Sequence, residues 1–237
     1  MKTLMDVLWQ ALSSWVSVHD LNNPIKTQQV AEHLFTSPSQ KLLHVGCGAA
    51  TKNSTSPGFQ GDTWQEIRLD IDANSSPDIV SSMLDMASVP TAAVDAVYSS
   101  HNIEHLYPHE VAIALLEFHR VLNEDGLLVL TCPDLQSLCQ LIVDDQLDQP
   151  AYLSAAGPIA PLDILYGHRP QLAAGNLFMA HHTGFTLRTL VEEVRASGFC
   201  SVAGRRRDAY FDLWIVATKK RQTDQEMEAL MDVYLPQ

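Results

Sequence analysis

The chain has 237 residues, of which 46% are hydrophobic and 18% charged, so it can bury a sizeable core and bulk disorder is excluded. Fifteen Lys and Arg residues against 28 Asp and Glu residues give a formal net charge of −13. A surface this acidic repels phosphate backbones and anionic lipids, which disfavours nucleic acid as a partner. A basic run that offers an exception is Arg205-Arg206-Arg207.

The cysteine pattern and the first residues bear on the compartment. Four scattered cysteines contain no C-x-x-C pair, so neither a disulfide framework nor a cysteine zinc site is expected and a reducing compartment is the default. Residues 1–18 carry an apolar pattern broken by Asp6 and Gln10, which predicts an amphipathic helix rather than a signal peptide. No stretch approaches the roughly 18 apolar residues of a membrane span. We expect a soluble, cytoplasmic protein with no membrane partner.

The predicted elements begin with a helical cap over residues 1–36, with helices at 1–18 and 26–35. From residue 41 the pattern changes to short apolar runs separated by loops or helices. These runs predict strands at 42–45, 66–71, 78–80, 95–99 and 127–131, with one helix at 109–122. Such an alternation predicts a mainly parallel sheet covered on both faces.

The second half interrupts this alternation. Residues 135–180 predict one helix, at 135–147, followed by a tract with four prolines, which is typical of a lid or binding loop. The alternation then resumes with a helix at 187–197 and strands at 199–203 and 210–218, which we predict to pair as an antiparallel hairpin. A terminal helix is predicted at 224–235. We see neither an internal repeat nor a low-complexity tract.

Three short motifs follow predicted strands. His44-Val45-Gly46-Cys47-Gly48 ends the first strand, and glycines there either let the backbone approach a ligand or simply form a strand-to-helix turn. Asp70 lies 24 positions after Gly46, near the spacing of about 20 expected for a carboxylate that receives ribose hydroxyls. Asp85-Met86 offers the acceptor and the apolar surface that an adenine needs. Their order and spacing together favour a nucleotide-type ligand.

These segments resemble the class I S-adenosylmethionine-dependent methyltransferases, in particular the broad small-molecule group. The resemblance covers residues 41–134 and resumes at 181–199. Besides the glycine turn it is carried by Leu-Asp-Ile-Asp at 69–72, Leu-Asp-Met at 84–86, the Ser-Ser-His-Asn-Ile-Glu-His-Leu run at 99–106 and the Arg-Val-Leu-Asn-Glu-Asp-Gly run at 120–126. It implies a Rossmann-like, mainly parallel seven-stranded sheet with helices on both faces and an antiparallel C-terminal hairpin.

The resemblance also implies a division of the chain and a cofactor. Within a single domain, residues 1–36 would form the cap, 37–134 the cofactor-binding half, 135–180 the substrate lid, and 181–237 the C-terminal helix, hairpin and tail. S-adenosylmethionine would be the cofactor and a small molecule the methyl acceptor. The implied cofactor-binding residues are His44, Gly46, Cys47, Gly48, Asp70, Ile71, Asp85, Met86, Ser100 and His101.

The methyl group of a sulfonium is already activated, so a general base is optional and the protein mainly aligns the acceptor. Histidine is the natural base near neutral pH, and the candidates are His101, His105, His181 and His182. In the lid, polar groups meet substrates, and the candidate substrate contacts are Tyr166, His168 and Arg169. The four-residue spacing of His101, His105 and His109 suits a metal, but the first of them follows a strand, so no metal site is predicted.

The sequence departs from the family at three points. His44 stands where the family has an acid, Ala50 replaces the third glycine of the turn, and the first helix after the turn is short or missing at 51–63. These departures motivate an alternative, a protein that binds S-adenosylmethionine or S-adenosylhomocysteine without catalysis. A second alternative is a nicotinamide-dependent oxidoreductase, whose fingerprint needs glycine where Thr51 stands.

Overall fold

The computed structural model of the protein describes residues 34–35 and 39–236. The helical cap predicted over residues 1–36, with its two helices, therefore lies outside the described residues apart from Leu34 and Phe35. The fold below concerns the unit that begins at Ser37.

The described residues form nine strands and six α-helices. The strands are β1 (Gln40–Val45), β2 (Trp64–Asp70), β3 (Ile79–Val80), β4 (Val94–Ser100), β5 (Leu122–Pro133), β6 (Tyr152–Ser154), β7 (Gly157–Ile159), β8 (Ser201–Arg207) and β9 (Asp212–Thr218). The helices are α1 (Val111–Val121), α2 (Leu135–Val143), α3 (Pro161–Tyr166), α4 (Arg169–Ala173), α5 (Leu187–Ala196) and α6 (Asp224–Tyr234).

Seven strands form one sheet in the order β3-β2-β1-β4-β5-β9-β8. The first five run parallel, whereas β9 is antiparallel to both β5 and β8. The predicted Rossmann-like sheet with an antiparallel C-terminal hairpin is therefore confirmed. The strand order reverses at β1, which lies between β2 and β4, and such a switch point opens a crevice at the carboxyl ends of the strands.

Apolar side chains cover both faces of this sheet. On one face Leu42, Tyr98, Val129 and Val216 belong to a buried cluster that Met227 of α6 completes. On α1, buried residues recur at helical spacing, and the helix contacts β5 and α5. The central strands read as continuous apolar runs because helices cover a parallel sheet on both sides.

The connection from β1 to β2 contains two 3₁₀ turns, Lys52–Ser54 and Pro57–Phe59, and no α-helix, as predicted for residues 51–63. The buried Phe59 ring packs edge-on against Trp64 with centroids 5.1 Å apart. It also lies 4.8 Å from the ring of Tyr234 in α6. These aromatic contacts anchor the connection to the sheet where the family usually has a helix.

Residues 135–180 are more regular than the predicted helix and loops. The helix α2 ends at Val143, and β6 and β7 form a small antiparallel hairpin before α3 and α4. Leu138, Ile159 and Ile164 form a separate buried apolar cluster in this segment. The hairpin was not predicted because three-residue strands are too short for a recognisable alternation. Among the described helices, none is both long and apolar enough to cross a membrane.

Candidate active site

The turn after β1 depends on glycine at its first position. Gly46 and Gly48 have φ of +66° and +51°, in the left-handed region that glycine adopts at little cost. A Cβ added to Gly46 would lie 2.2 Å from Cγ of Asn102. Gly46 therefore meets two separate requirements, a backbone conformation and a close approach of the chain that follows β4.

Asp70, at the end of β2, connects this turn to the second strand. Its buried carboxylate accepts a 2.7 Å hydrogen bond from the Gly48 backbone N–H and a 2.8 Å bond from that of Asp72. Each carboxylate oxygen has a further lone pair for a ligand hydroxyl. The spacing of 24 positions between Gly46 and Asp70 thus reflects a direct contact between the two motifs.

Arg68, which the sequence did not single out, supports the same turn. Its guanidinium donates hydrogen bonds to the carbonyl oxygens of Gly48 at 2.5 Å, Ala50 at 3.1 Å and Ser76 at 2.9 Å. Arg68 precedes Asp70 by two positions, so both side chains leave β2 on one face. Five donors let Arg68 fix several carbonyls of a turn that lacks the third glycine.

Asn102, just after β4, also fixes backbone carbonyl oxygens with its side chain. It was not identified as a site residue from the sequence. Its Nδ2 donates to the carbonyl oxygens of Val45 at 3.1 Å and Ser100 at 2.9 Å, which ties the ends of β1 and β4 together. His101 beside it has a φ of +53°, unusual for a residue other than glycine. The resulting bend turns Ser100 and His101 toward the crevice.

These groups border a cavity of about 440 Å³, within the range of roughly 300–1,000 Å³ typical of small-molecule sites. The cavity lies at the carboxyl ends of β1, β2 and β4, as expected for this type of sheet. Six predicted cofactor residues line it, namely Gly46, Gly48, Asp70, Ile71, Ser100 and His101. Residues that the sequence did not suggest line it as well, among them Ser81, Ser82, Met83 and Asn176 to Met179.

The structure places His44 and Cys47 outside the lining of this cavity. His44 Nδ1 lies 2.8 Å from Oε1 of Glu66, and its ring packs edge-on against Tyr98. Burial lowers the pKa of His44, so the ring is held neutral within the sheet. The Cys47 thiol is buried too, and burial raises its pKa to about 11.

Asp85 and Met86 also lie outside the lining. Met86 is fully buried and its backbone N–H donates to Oε2 of Glu117 at 2.8 Å. Asp85 is exposed, and its Oδ1 accepts from the backbone of Ala87 at 3.2 Å. The same connection reaches the cavity a few residues earlier, through Ser81, Ser82 and Met83.

His101 lies between two buried carboxylates. Its Nδ1 is 3.4 Å from Oε1 of Glu104, and its Nε2 is 3.7 Å from Oδ2 of Asp212. Burial lowers the pKa of His101, but the two carboxylates outweigh it and raise the pKa to about 9. At neutral pH His101 is therefore an imidazolium, which donates hydrogen bonds and does not accept protons.

Asp212 reaches this point because β9 is antiparallel, so its first residue lies at the carboxyl edge of the parallel strands. Arg207 at the end of β8 holds the Asp212 carboxylate through Nε at 2.9 Å and through Nη2. The other arginines of the basic run are paired as well, Arg205 with Asp232 at 3.4 Å and Arg206 with Asp134 at 3.2 Å. The run therefore serves contacts within the chain.

The remaining candidate bases divide between two cavities. A second cavity of about 620 Å³ is lined by His101, His105, His181 and residues of the insert. His105 lines both cavities, whereas His182 lines the first, with its ring stacked 4.2 Å from that of Tyr107. Burial lowers the pKa of His181, whose Nδ1 lies 2.9 Å from the carbonyl oxygen of Ile164.

Of the three candidate substrate contacts, His168 lines the second cavity. Tyr166 is largely exposed and lines neither cavity. Arg169 also lines neither, and its guanidinium makes two hydrogen bonds to Asp163, at 2.7 and 3.0 Å. This pairing lowers the pKa of Asp163 to about 2, so the pair stays ionised at neutral pH and braces the insert.

Comparisons with known proteins bear on the fold and on the segment that carries the glycine turn. Residues 43–130, from β1 through most of β5, match the family model described as a methyltransferase domain. No curated protein sequence matches the chain.

Solved structures share the fold. One is the 1,6-didemethyltoxoflavin-N1-methyltransferase of Burkholderia thailandensis with bound 1,6-didemethyltoxoflavin and S-adenosylhomocysteine, at 14% identity and a TM-score of 0.50 over 93% of this chain and 92% of that chain. Another is the PH0226 protein of Pyrococcus horikoshii OT3, at 14% identity and a TM-score of 0.50 over 85% of this chain and 92% of that chain. At these identities the likeness shows the fold. The matched segment is similar to a methyltransferase domain, and the strand order is that of a Rossmann-like sheet.

Proposed function

We propose that the protein transfers the methyl group of S-adenosylmethionine to a small-molecule acceptor. The observation that carries this proposal is a pair of cavities that share lining residues at the carboxyl edge of the sheet, including Gly48, His101 and His105. One cavity is bordered by the glycine turn and Asp70, and the other extends under the insert. A cofactor in the first would present its methyl toward an acceptor in the second.

The lining residues suggest how the cofactor lies. Asp70 would accept the ribose hydroxyls through its free lone pairs, and the backbone of Gly46 and Gly48 would border the methionine part. Ile71, whose side chain is half-exposed beside Asp70, and Met83 would cover the adenine faces. In this proposal the adenine contacts come from Ser81, Ser82 and Met83 in place of Asp85 and Met86.

The protein's own groups then have two tasks in the transfer. The bound cofactor supplies an activated methyl, and the walls of the two cavities hold the acceptor in line with it and exclude water. His101, as an imidazolium, would donate a hydrogen bond to the acceptor or to the cofactor carboxylate. The neutral His181 would take a proton from acceptors that release one.

A small acceptor is supported by the second cavity, whose volume of about 620 Å³ suits a metabolite. His168, Tyr152 and Tyr210 offer it polar contacts. The ion pairs of Arg205, Arg206 and Arg207 leave that run without the free charge that a phosphate backbone requires. A cytoplasmic location stays a prediction.

The two alternatives fare differently. The departures that motivated an inactive cofactor-binding protein affect groups outside the cavity lining, since His44 is buried in the sheet and Arg68 holds the carbonyl oxygen of Ala50. That argues for a functional cofactor site. The match to a methyltransferase domain gives no support to the nicotinamide alternative.

Titration calorimetry with S-adenosylmethionine and S-adenosylhomocysteine tests the cofactor site. We expect saturable binding to the wild-type protein and about 10- to 100-fold weaker binding to Asp70→Asn, because a charged hydrogen-bond acceptor contributes about 1.5–3 kcal/mol. Asp62→Asn, an exposed loop carboxylate, is the matched control and should bind like wild type. An absence of heat at high ligand concentration would remove the cofactor assignment.

A radiolabelled methyl assay against metabolite pools distinguishes the active enzyme from the inactive alternative. We expect label to appear in a small-molecule fraction and to require Asp70. Cofactor binding without any transfer would favour the alternative.

A further inference from the structure

Glu104 has an unusual environment for a carboxylate. Its side chain is 1% exposed, and neither carboxylate oxygen accepts a hydrogen bond from the described residues. The nearest basic nitrogen is Nδ1 of His101, 3.4 Å from Oε1. A buried carboxylate without hydrogen-bond donors is costly, and such a group calls for a missing partner.

Two imidazoles face the same carboxylate. One ligand atom each from Glu104, His105 and His181 lies within 4.8 Å of the others. A divalent ion about 2.1 Å from each donor needs spacings of no more than about 4.2 Å, so small side-chain rotations would bring the three atoms onto one ion.

Each of the two histidines has a ring nitrogen in contact with a carbonyl oxygen. His181 Nδ1 lies 2.9 Å from the carbonyl oxygen of Ile164, so a proton there leaves Nε2 as a lone pair. Each nitrogen of His105 lies 3.1 Å from a carbonyl oxygen, one of Ala180 and one of His101, so the nitrogen that binds an ion must release its carbonyl while the other contact still orients the ring. A carbonyl partner on the second nitrogen is the usual way in which a protein orients a histidine ligand.

The backbone brings these residues together. Glu104 and His105 belong to the 3₁₀ turn Ile103–His105 after β4, and His181 follows the insert. The Glu104 carbonyl oxygen accepts hydrogen bonds from the backbone of His182 at 2.9 Å and Thr183 at 3.2 Å. The returning chain is therefore fixed to the turn, and the three side chains are presented from a common scaffold.

We propose that Glu104, His105 and His181 form a binding site for one divalent transition-metal ion in the wall of the second cavity. Two imidazoles and one carboxylate favour ions such as zinc, manganese, iron or cobalt over magnesium or calcium. Three protein ligands leave positions open, and an acceptor oxygen bound there would be held beside the cofactor cavity and made more acidic. This goes beyond the proposed methyl transfer and favours acceptors that are methylated on oxygen. With the ion bound, His181 would be a ligand in place of a general base.

Calorimetry and visible spectroscopy with Co²⁺, on the full-length protein freed of metal by chelation, test the site. We expect one ion per chain, a ligand-field spectrum of mixed nitrogen and oxygen coordination, and at least about 10-fold weaker binding in His105→Ala, His181→Ala and Glu104→Gln. The control is His109→Ala, an exposed histidine of the same i, i+4 series, which should bind Co²⁺ as wild type does. Circular dichroism establishes that each variant is folded.

Two results would overturn the proposal. One is that the wild-type protein shows no saturable Co²⁺ binding, and the other is that all three ligand variants bind Co²⁺ as tightly as the wild-type protein does. In the first case the Glu104 carboxylate would be left for an ammonium group of the substrate. Binding of S-adenosylhomocysteine to the metal-free protein is measured in parallel. If it persists while Co²⁺ binding fails, the metal site is wrong and the methyltransferase proposal stands.

Discussion

At the scale of the residue, the crevice is built on close approaches between backbone turns. Gly46 and Asn102 meet where the carboxyl ends of β1 and β4 lie side by side, and Asn102 donates to the carbonyl oxygen of Val45. Asp70 and Arg68 fix the other side of the glycine turn from β2. The site is therefore organised by hydrogen bonds to backbone atoms before any ligand is bound, which limits the reorganisation that binding requires.

Gly46→Ala tests this close approach. We expect a loss of at least about 2 kcal/mol in the free energy of unfolding, because the left-handed conformation costs about 1–2 kcal/mol and the new Cβ overlaps Asn102. Urea denaturation measures it.

The controls separate the two causes. Gly61→Ala, where the nearest atom to a new Cβ is 3.7 Å away, should change stability by less than about 0.5 kcal/mol. The double variant Gly46→Ala/Asn102→Ala should be more stable than the sum of the two single effects predicts. A Gly46→Ala protein as stable as wild type would contradict the account.

At the scale of the element, the insert, residues 135–180, is a small folded unit. Its apolar cluster around Leu138, Ile159 and Ile164 is joined by a polar brace at Asp163. That carboxylate accepts from the backbone of Ala160 at 3.0 Å and from the guanidinium of Arg169. Helices as short as α3 and α4 are not stable alone, and this brace links the first of them to the start of the second.

Arg169→Gln is expected to loosen the insert without unfolding the sheet. Removal of a two-point contact to a carboxylate that is buried leaves that charge with fewer donors, so amides near residues 157–169 should exchange several-fold faster in hydrogen-exchange mass spectrometry. The matched control is Arg188→Gln, since Arg188 and Glu192 form an exposed helical pair of little energetic weight. Equal exchange in both variants would show that Asp163 and Arg169 do not brace the insert.

At the scale of the whole molecule, the sheet carries a titratable group in its interior. His44 lies in β1, next to the central strand β4, among Glu66, Arg68 and Asp70. Burial lowers its pKa below the ordinary 6.5, despite the hydrogen bond to Glu66 that opposes the shift. The folded protein therefore keeps this ring neutral in a pH range in which the unfolded chain takes up a proton.

The sign of the resulting pH dependence follows from proton linkage. As the pH falls through 6.5, the unfolded state binds a proton at His44 and the native state does not, so stability falls with pH. We expect His44→Gln, which keeps a donor for Glu66, to lose less unfolding free energy than wild type between pH 7 and 5. The slope of this free energy against pH should decrease by the equivalent of at most one bound proton. Denaturant titrations at each pH measure it. His109→Gln, at an exposed site, should retain the wild-type slope, and a His44→Gln slope equal to wild type would contradict the assignment.

The sequence by itself determined the parallel sheet, the antiparallel hairpin, the glycine turn and its distance from Asp70. These are local patterns, because a buried strand and the turn after it lie within a few residues of each other. The same locality explains the assignment of Asp85 and Met86 to the cofactor, because both follow the predicted strand. Only the tertiary packing shows that Ser81 to Met83 are the residues of this connection that reach the cavity.

Only the tertiary structure decided which side chains meet. Asp212 lies beside His101 because β9 enters the sheet in the reverse direction, and His181 lies beside Glu104 because the chain returns from the insert onto the turn after β4. Asn102 contacts Gly46 because β1 and β4 are neighbours in the sheet although distant in the chain. Contacts of this kind depend on strand order and direction across the whole sheet, so they cannot be inferred from the residue spacing within a single segment.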